Sequence, residues 1–167
     1  MRYAPAAVAL SLLFAVTASV GYGAARAPAP GAAALEKSGQ AQLTAGKIQD
    51  ATDLFEAALA IDPGYTTLYL DLAEAARQQG LQGKAIHYYR EALAREPGNL
   101  AAISGEGQAM VEKGAVEKAR RNLAKLQSLC GETCPEARQL AMALERGPRT
   151  AVLTAEAVTP SPIVTQN

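Results

Sequence analysis

Pro63 lies in an Asp-Pro-Gly triplet and Pro97 in a Glu-Pro-Gly triplet, 34 residues further on. The same step of 34 relates Ala51, Ala85 and Ala119, and then Phe55, Tyr89 and Leu123. It also relates Ala58, Ala92 and Leu126; Gly46, Gly80 and Gly114; and Gly39, Ala73 and Gly107. Self-similarity at this period means stacked supersecondary units, each unable to bury its own apolar face alone. Three units result: 32–65, 66–99 and 100–133.

One unit can be read from its residues. An apolar-periodic segment runs from Thr66 to about Gln79, and Gly80 ends it, because glycine tolerates the left-handed conformation found at helix ends. A second segment runs from Gln82 to Arg95 and Pro97 closes it. Two helices and a short turn make a helical hairpin. Small residues, Ala73 and Ala85, fall where the helices cross, and Tyr69, Leu72, Tyr89 and Leu93 fill the space beside them. This alternation is a packing code, and no strand signal interrupts it.

The pattern resembles the tetratricopeptide repeat family, which carries aromatic, Leu-Gly, Tyr, Ala, Phe, Ala and Pro positions at fixed offsets. The second unit matches through Tyr69, Leu72, Ala73, Ala85, Tyr89, Ala92 and Pro97. The first matches through Leu35, Gly39, Ala51, Phe55, Ala58 and Pro63. The third keeps Ile103, Gly107, Ala119, Leu123 and Leu126 but has Glu106 in place of Leu and Gly131 in place of Pro, as a terminal repeat should. The resemblance implies an all-α fold: three helix-turn-helix hairpins in a right-handed superhelix, with a C-terminal capping helix. It also implies a concave groove, lined by the first helix of each hairpin, that holds an extended peptide or a partner helix. The groove positions would be Glu36, Gln40 and Leu43; Thr67, Leu70, Asp71, Glu74 and Arg77; and Ala101, Ser104, Gln108 and Val111. Chaperone-binding members clamp a terminal carboxylate with Lys and Asn at such positions. Neither residue stands at them here, so that activity does not carry over. Asp71 and Glu74 make the middle of the groove lean acidic, which suits a weakly basic peptide or a partly apolar helix.

Beyond the third unit, Thr133 followed by Glu136 reads as a capping box, with Pro135 in the first turn. Leu140, Ala141 and Leu144 recur at helical spacing, so 134–146 is expected to cap the stack. Cys130 and Cys134 flank this junction. In an exported chain such a pair is expected as a disulfide, worth about 2 kcal/mol for so short a loop. A redox-active or metal-contacting pair is the alternative. The spacing is C-x3-C, and no thioredoxin-like strand pattern surrounds it.

The flanks carry no repeat. Arg2 precedes an apolar stretch, Ala6 to Val20, and then the small residues Gly21, Gly23, Ala24 and Ala25. Residues 1–25 are therefore expected as a secretory signal peptide or, uncleaved, as a signal anchor. Export to the periplasm of a Gram-negative cell is the expectation. An inner-membrane anchor facing the periplasm is the alternative, and membrane contact is expected only if the segment stays uncleaved. Residues 26–33 read as a Pro/Ala-rich spacer that buries no core, and 147–167 as a disordered tail.

Composition excludes several functions. The 16 basic and 16 acidic side chains balance, which disfavours nucleic acid as a partner. One His and two Cys are too few for an ordinary structural zinc site, and His87 has no second His to pair with. No Gly-rich phosphate loop follows a strand. No catalytic residues, cofactor or metal are expected. The expected work is non-catalytic: an interaction scaffold of the cell envelope, binding a protein or peptide. A membrane-anchored assembly factor is the runner-up, and a thiol-redox protein the third reading. Lys113, Lys118, Arg120, Arg121 and Lys125, with Glu112 and Glu117 among them, read as a solvated outer face or as a contact for anionic lipid heads or an acidic partner.

Overall fold

The computed structural model describes residues 27–148. These form helices α1 (Pro30–Thr44), α2 (Ile48–Ile61), α3 (Thr66–Gln78), α4 (Gln82–Arg95), α5 (Leu100–Glu112), α6 (Val116–Cys130) and α7 (Pro135–Arg146), with no strand among the described residues. Antiparallel pairs α1/α2, α3/α4 and α5/α6 are the three hairpins, each packed on the next, and α7 lies against both α5 and α6. Helices α3 and α4 coincide with the two segments expected of the second unit. The expected signal segment, 1–25, and most of the expected tail, 149–167, lie outside the described residues.

The first helix of every hairpin ends in the same way. Gly46, Gly80 and Gly114 have φ of 76°, 74° and 84°. At each, the glycine N–H bonds back to Leu43, Arg77 or Val111, and the next N–H reaches Gln42, Ala76 or Met110. This is the Schellman ending, which satisfies the last carbonyls and turns the chain sharply. Its repetition every 34 residues gives all three hairpins the same geometry.

The hairpins close tightly because small residues sit at their crossings. Ala51, Ala73, Ala85 and Ala119 are fully buried. Gly39 faces the ring of Phe55, where an added Cβ would stand 2.5 Å from Cε1. The core has two parts. Phe55, Leu68 and Leu72 centre the first, and Tyr89, Ile103, Leu126 and Leu140 the second. Leu59 and Tyr88 pack against both.

Two expectations are corrected. The spacer is shorter than 26–33, since α1 already begins at Pro30 and Ala32 is fully buried. Buried Asp62 supplies the reason: its Oδ2 accepts from Ala29 N at 3.0 Å and its Oδ1 from Gly64 N at 3.2 Å. One carboxylate thus anchors the start of α1 to the closing turn of α2, and Pro30 supplies a preset first helical φ. The capping box at Thr133 does not form. The N-cap of α7 is Cys134, without a side-chain cap bond. Pro135 disfavours the helical region for the residue before it, so the helix starts one residue too late for Thr133 to cap it.

Candidate functional site

Residues of α1, α3 and α5 share one face of the stack, and a polar ladder crosses it. Gln40 Nε2 donates to Glu36 at 3.3 Å and, across the helix gap, to Asp71 at 3.4 Å. The Tyr65 hydroxyl donates to Glu36. On the next rung, Arg77 donates to Glu74 at 3.0 Å, to Gln108 at 3.3 Å and to Glu112 at 2.7 Å. Gln108 then donates to Ser104 at 3.2 Å, and Ser104 donates to the Glu136 carbonyl of α7 at 3.0 Å.

The charges on this face perturb one another. Burial first, and the facing Glu36 carboxylate second, push Asp71 up to about 7. Burial and the bond to Glu36 push the Tyr65 phenol up to about 12. Burial works against the Arg77 charge, but its bond to Glu112 and the neighbouring Glu74 hold it well above its usual range.

Of the positions expected to line the groove, Glu36, Gln40, Asp71, Glu74, Arg77 and Gln108 join this ladder. Leu43 and Leu70 are half-buried beside it, each packed against one part of the core. Thr67 is half-buried and Ala101 exposed. Ser104 and Val111 are not open to a partner: they are 2% and 1% exposed. For Ser104 the physical reason is α7, which lies on α5 and brings Leu140 against Gly107 and the Glu136 carbonyl onto Ser104. The capping helix thus occupies part of the groove's third segment.

Sequence reasoning missed Glu112 and the end of α7. In sequence Glu112 stands with the basic outer cluster, yet it faces inward to Arg77. Its spacing four residues after Gln108 on α5 was the available signal. Glu74, Arg77, Gln108 and Glu112 line a pocket of about 540 Å³ whose far wall is Ala143 and Arg146 of α7.

At the α6–α7 junction the Cys130 and Cys134 sulfurs are joined in a disulfide, with Cα atoms 5.9 Å apart. The Glu136 carboxylate lies within 4.8 Å of them. With both sulfurs bonded to each other, this group offers no thiolate to a metal. No helix among the described residues is long and apolar enough to cross a membrane.

Residues 42–81 match the family model described as tetratricopeptide repeat. Solved structures extend the likeness to the fold. The Sgt2 TPR domain from Aspergillus fumigatus superposes with a TM-score of 0.64 at 23% identity, covering 84% of this chain and 93% of that one. The Yersinia enterocolitica type III secretion chaperone SycD, in complex with a peptide of the translocator YopD, gives 0.60 at 22%, covering 68% and 86%. The second TPR domain of human RPAP3, in complex with the HSP70 peptide SGPTIEEVD, gives 0.60 at 18%, covering 67% and 93%. No curated protein sequence matches the chain. The chain therefore has the tetratricopeptide-repeat fold, an all-α superhelical stack.

Proposed function

We propose that this tetratricopeptide-repeat protein is a non-catalytic binding module whose inner face holds a basic peptide, or a basic and partly apolar helix, of a partner protein. The charge of that face carries the reading. Glu36, Asp71, Glu74 and Glu112 share it with Arg77 and, at its far end, Arg146. Leu43 and Leu70 beside them give a partner apolar purchase. Complementary charge steers encounter and rejects partners of the wrong sign.

Peptide complexes of SycD and of RPAP3 support the class of partner. The RPAP3 peptide SGPTIEEVD holds three acidic residues and no basic one. The acidic inner face of this chain would repel such a segment, so the partner here has the opposite sign. Three hairpins present a small area, which goes with transient rather than obligate association.

We place this work outside the cytoplasm on the sequence of residues 1–25 alone. Intact mass of protein from the envelope fraction tests it. Loss of about 25 residues is the outcome for a signal peptide. Retention of the full mass in the membrane fraction would favour the anchored assembly factor.

Photocrosslinking from Leu70 in the native cell tests the groove. One dominant protein adduct is expected, and it is lost when Asp71→Lys and Glu74→Lys are combined. An adduct that survives this charge reversal overturns the electrostatic reading. Capture only from a probe at Val164 would make the repeats a spacer and the C-terminal residues the recognition element.

A further inference from the structure

A second cleft lies in the other layer of the stack, between α4 and α6. It encloses about 260 Å³ and is lined by Ile86, His87, Arg90, Met110, Lys113 and Lys118, together with Gly83 and Ala115. Its floor is apolar: Ile86 is 8% exposed and Met110 5%. Its rim is cationic, and no carboxylate lines it. The nearby acids are engaged elsewhere: Glu91 with Arg95, Glu112 with Arg77 and Glu117 with Arg120. Among the described residues Lys113 and Lys118 have no ion pair.

Arg90 is held at this rim by the residue that breaks the repeat pattern. Glu106, where the family has Leu, is buried, and its Oε1 accepts from Arg90 Nε at 2.8 Å. Its Oε2 accepts from Asn122 Nδ2 at 2.9 Å, and Asn122 also donates to the Ile103 carbonyl at 3.2 Å. Burying a carboxylate in a helix layer costs free energy unless it is fully hydrogen-bonded. Here that carboxylate fixes one edge of a guanidinium and leaves both Nη groups without a partner among the described residues. A fork so oriented matches a carboxylate.

We propose that this cleft is a second binding site, which takes an acidic segment of a partner protein with one apolar anchor residue. The cationic rim meets the acidic side chains, and the anchor enters the floor between Ile86 and Met110. The volume is below the range of small-molecule and cofactor pockets, which run from about 300 Å³ upward, and suits a single side chain. A flat bilayer would touch the rim but leave the apolar floor empty, so a peptide fits better than a membrane surface. The site is independent of the inner groove and has the opposite sign.

The test is an amide NMR titration of the full chain with a synthetic peptide of Glu and Asp around one Leu. A parallel titration uses the same peptide with Leu replaced by Ser, and another uses vesicles containing phosphatidylglycerol. Saturable shifts at Ile86, Met110, Lys113 and Lys118 are expected, weaker for the Ser peptide. The double variant Lys113→Glu/Lys118→Glu should weaken binding at least about tenfold, and Asp71→Lys should not. Both lysines are exposed, and circular dichroism checks that the variant is folded. Glu106→Leu, which removes the anchor of Arg90, should weaken binding less than the double reversal. The proposal is overturned by shifts confined to the inner face, by no saturable shift, by equal binding of the double variant, or by vesicle binding with indifference to the peptide.

Discussion

Leu140 of α7 sits over Gly107 of α5 so closely that a Cβ at position 107 would stand 2.5 Å from Leu140 Cδ2. Helix propensity alone says Gly107→Ala should stabilise α5 by about 1 kcal/mol. Leu140 is fully buried, so its side chain can shift only by disturbing a packed core, and overpacking wins. The expected net loss is about 1–2 kcal/mol in urea unfolding. Leu140→Ala should cost about 2–5 kcal/mol. Combining Gly107→Ala with Leu140→Val should recover part of the loss; strict additivity would mean that the two residues do not meet.

The Cys130–Cys134 bond ties the last residue of α6 to the N-cap of α7. Reduction, or Cys130→Ser with Cys134→Ser, should cost about 2 kcal/mol at most because the loop is short. Amide exchange should accelerate in α7 before α3. Uniform acceleration across the chain would contradict a local staple. Alkylation without reductant should leave both residues untouched.

Asp71 rises from its ordinary 3.8 to about 7 in the folded chain. The folded state therefore holds a proton that the unfolded state releases, and stability falls as pH climbs from about 4 through 7. Asp71→Asn should flatten that slope and stabilise the protein at pH 8, by about 1–2 kcal/mol after allowing for solvent access. Urea midpoints at pH 5 and pH 8 decide it, and an unchanged slope would rule the pair out as its origin. A basic peptide should bind the inner face more tightly above pH 7, where Asp71 is ionised.

Arg90 and Glu106 should respond unequally. Arg90→Ala leaves a buried carboxylate with Asn122 as its remaining side-chain donor, at an expected cost of about 1–3 kcal/mol. Glu106→Leu restores the repeat pattern and should be neutral or stabilising. A strongly destabilised Glu106→Leu would show that the carboxylate holds the fold as well as the guanidinium.

Thr133→Ala should change stability by less than about 0.5 kcal/mol, since Thr133 makes no cap. A loss of about 1 kcal/mol in thermal unfolding would reinstate the capping box.

The hairpins were legible because their determinants are local and repeated. A glycine that must take positive φ and a small residue at a crossing each announce themselves within a few positions. The polar ladder was half legible. Gln40, Asp71, Glu74, Arg77 and Gln108 are assigned to one face by the resemblance to the tetratricopeptide repeat, whose first helices line a groove. That Gln40 reaches Asp71, or that Arg77 takes Glu112 from the next hairpin, depends on distances between helices that no spacing encodes. Glu106 stood out as a departure from the pattern, but nothing in the sequence named Arg90 as its partner.

The sequence by itself determined the number of hairpins, where each first helix stops, and which small residues let the helices close. These are short-range properties of backbone conformation and side-chain size. Only the tertiary structure decided where α7 comes to rest. Its docking across α5 removes Ser104 from the open groove and adds Ala143 and Arg146 to its wall. That outcome is set by the packing of Leu140 into the space above Gly107, a contact between residues 33 positions apart. Burial of that kind is a property of the assembled stack, because it exists only once α5, α6 and α7 have excluded water from the same volume.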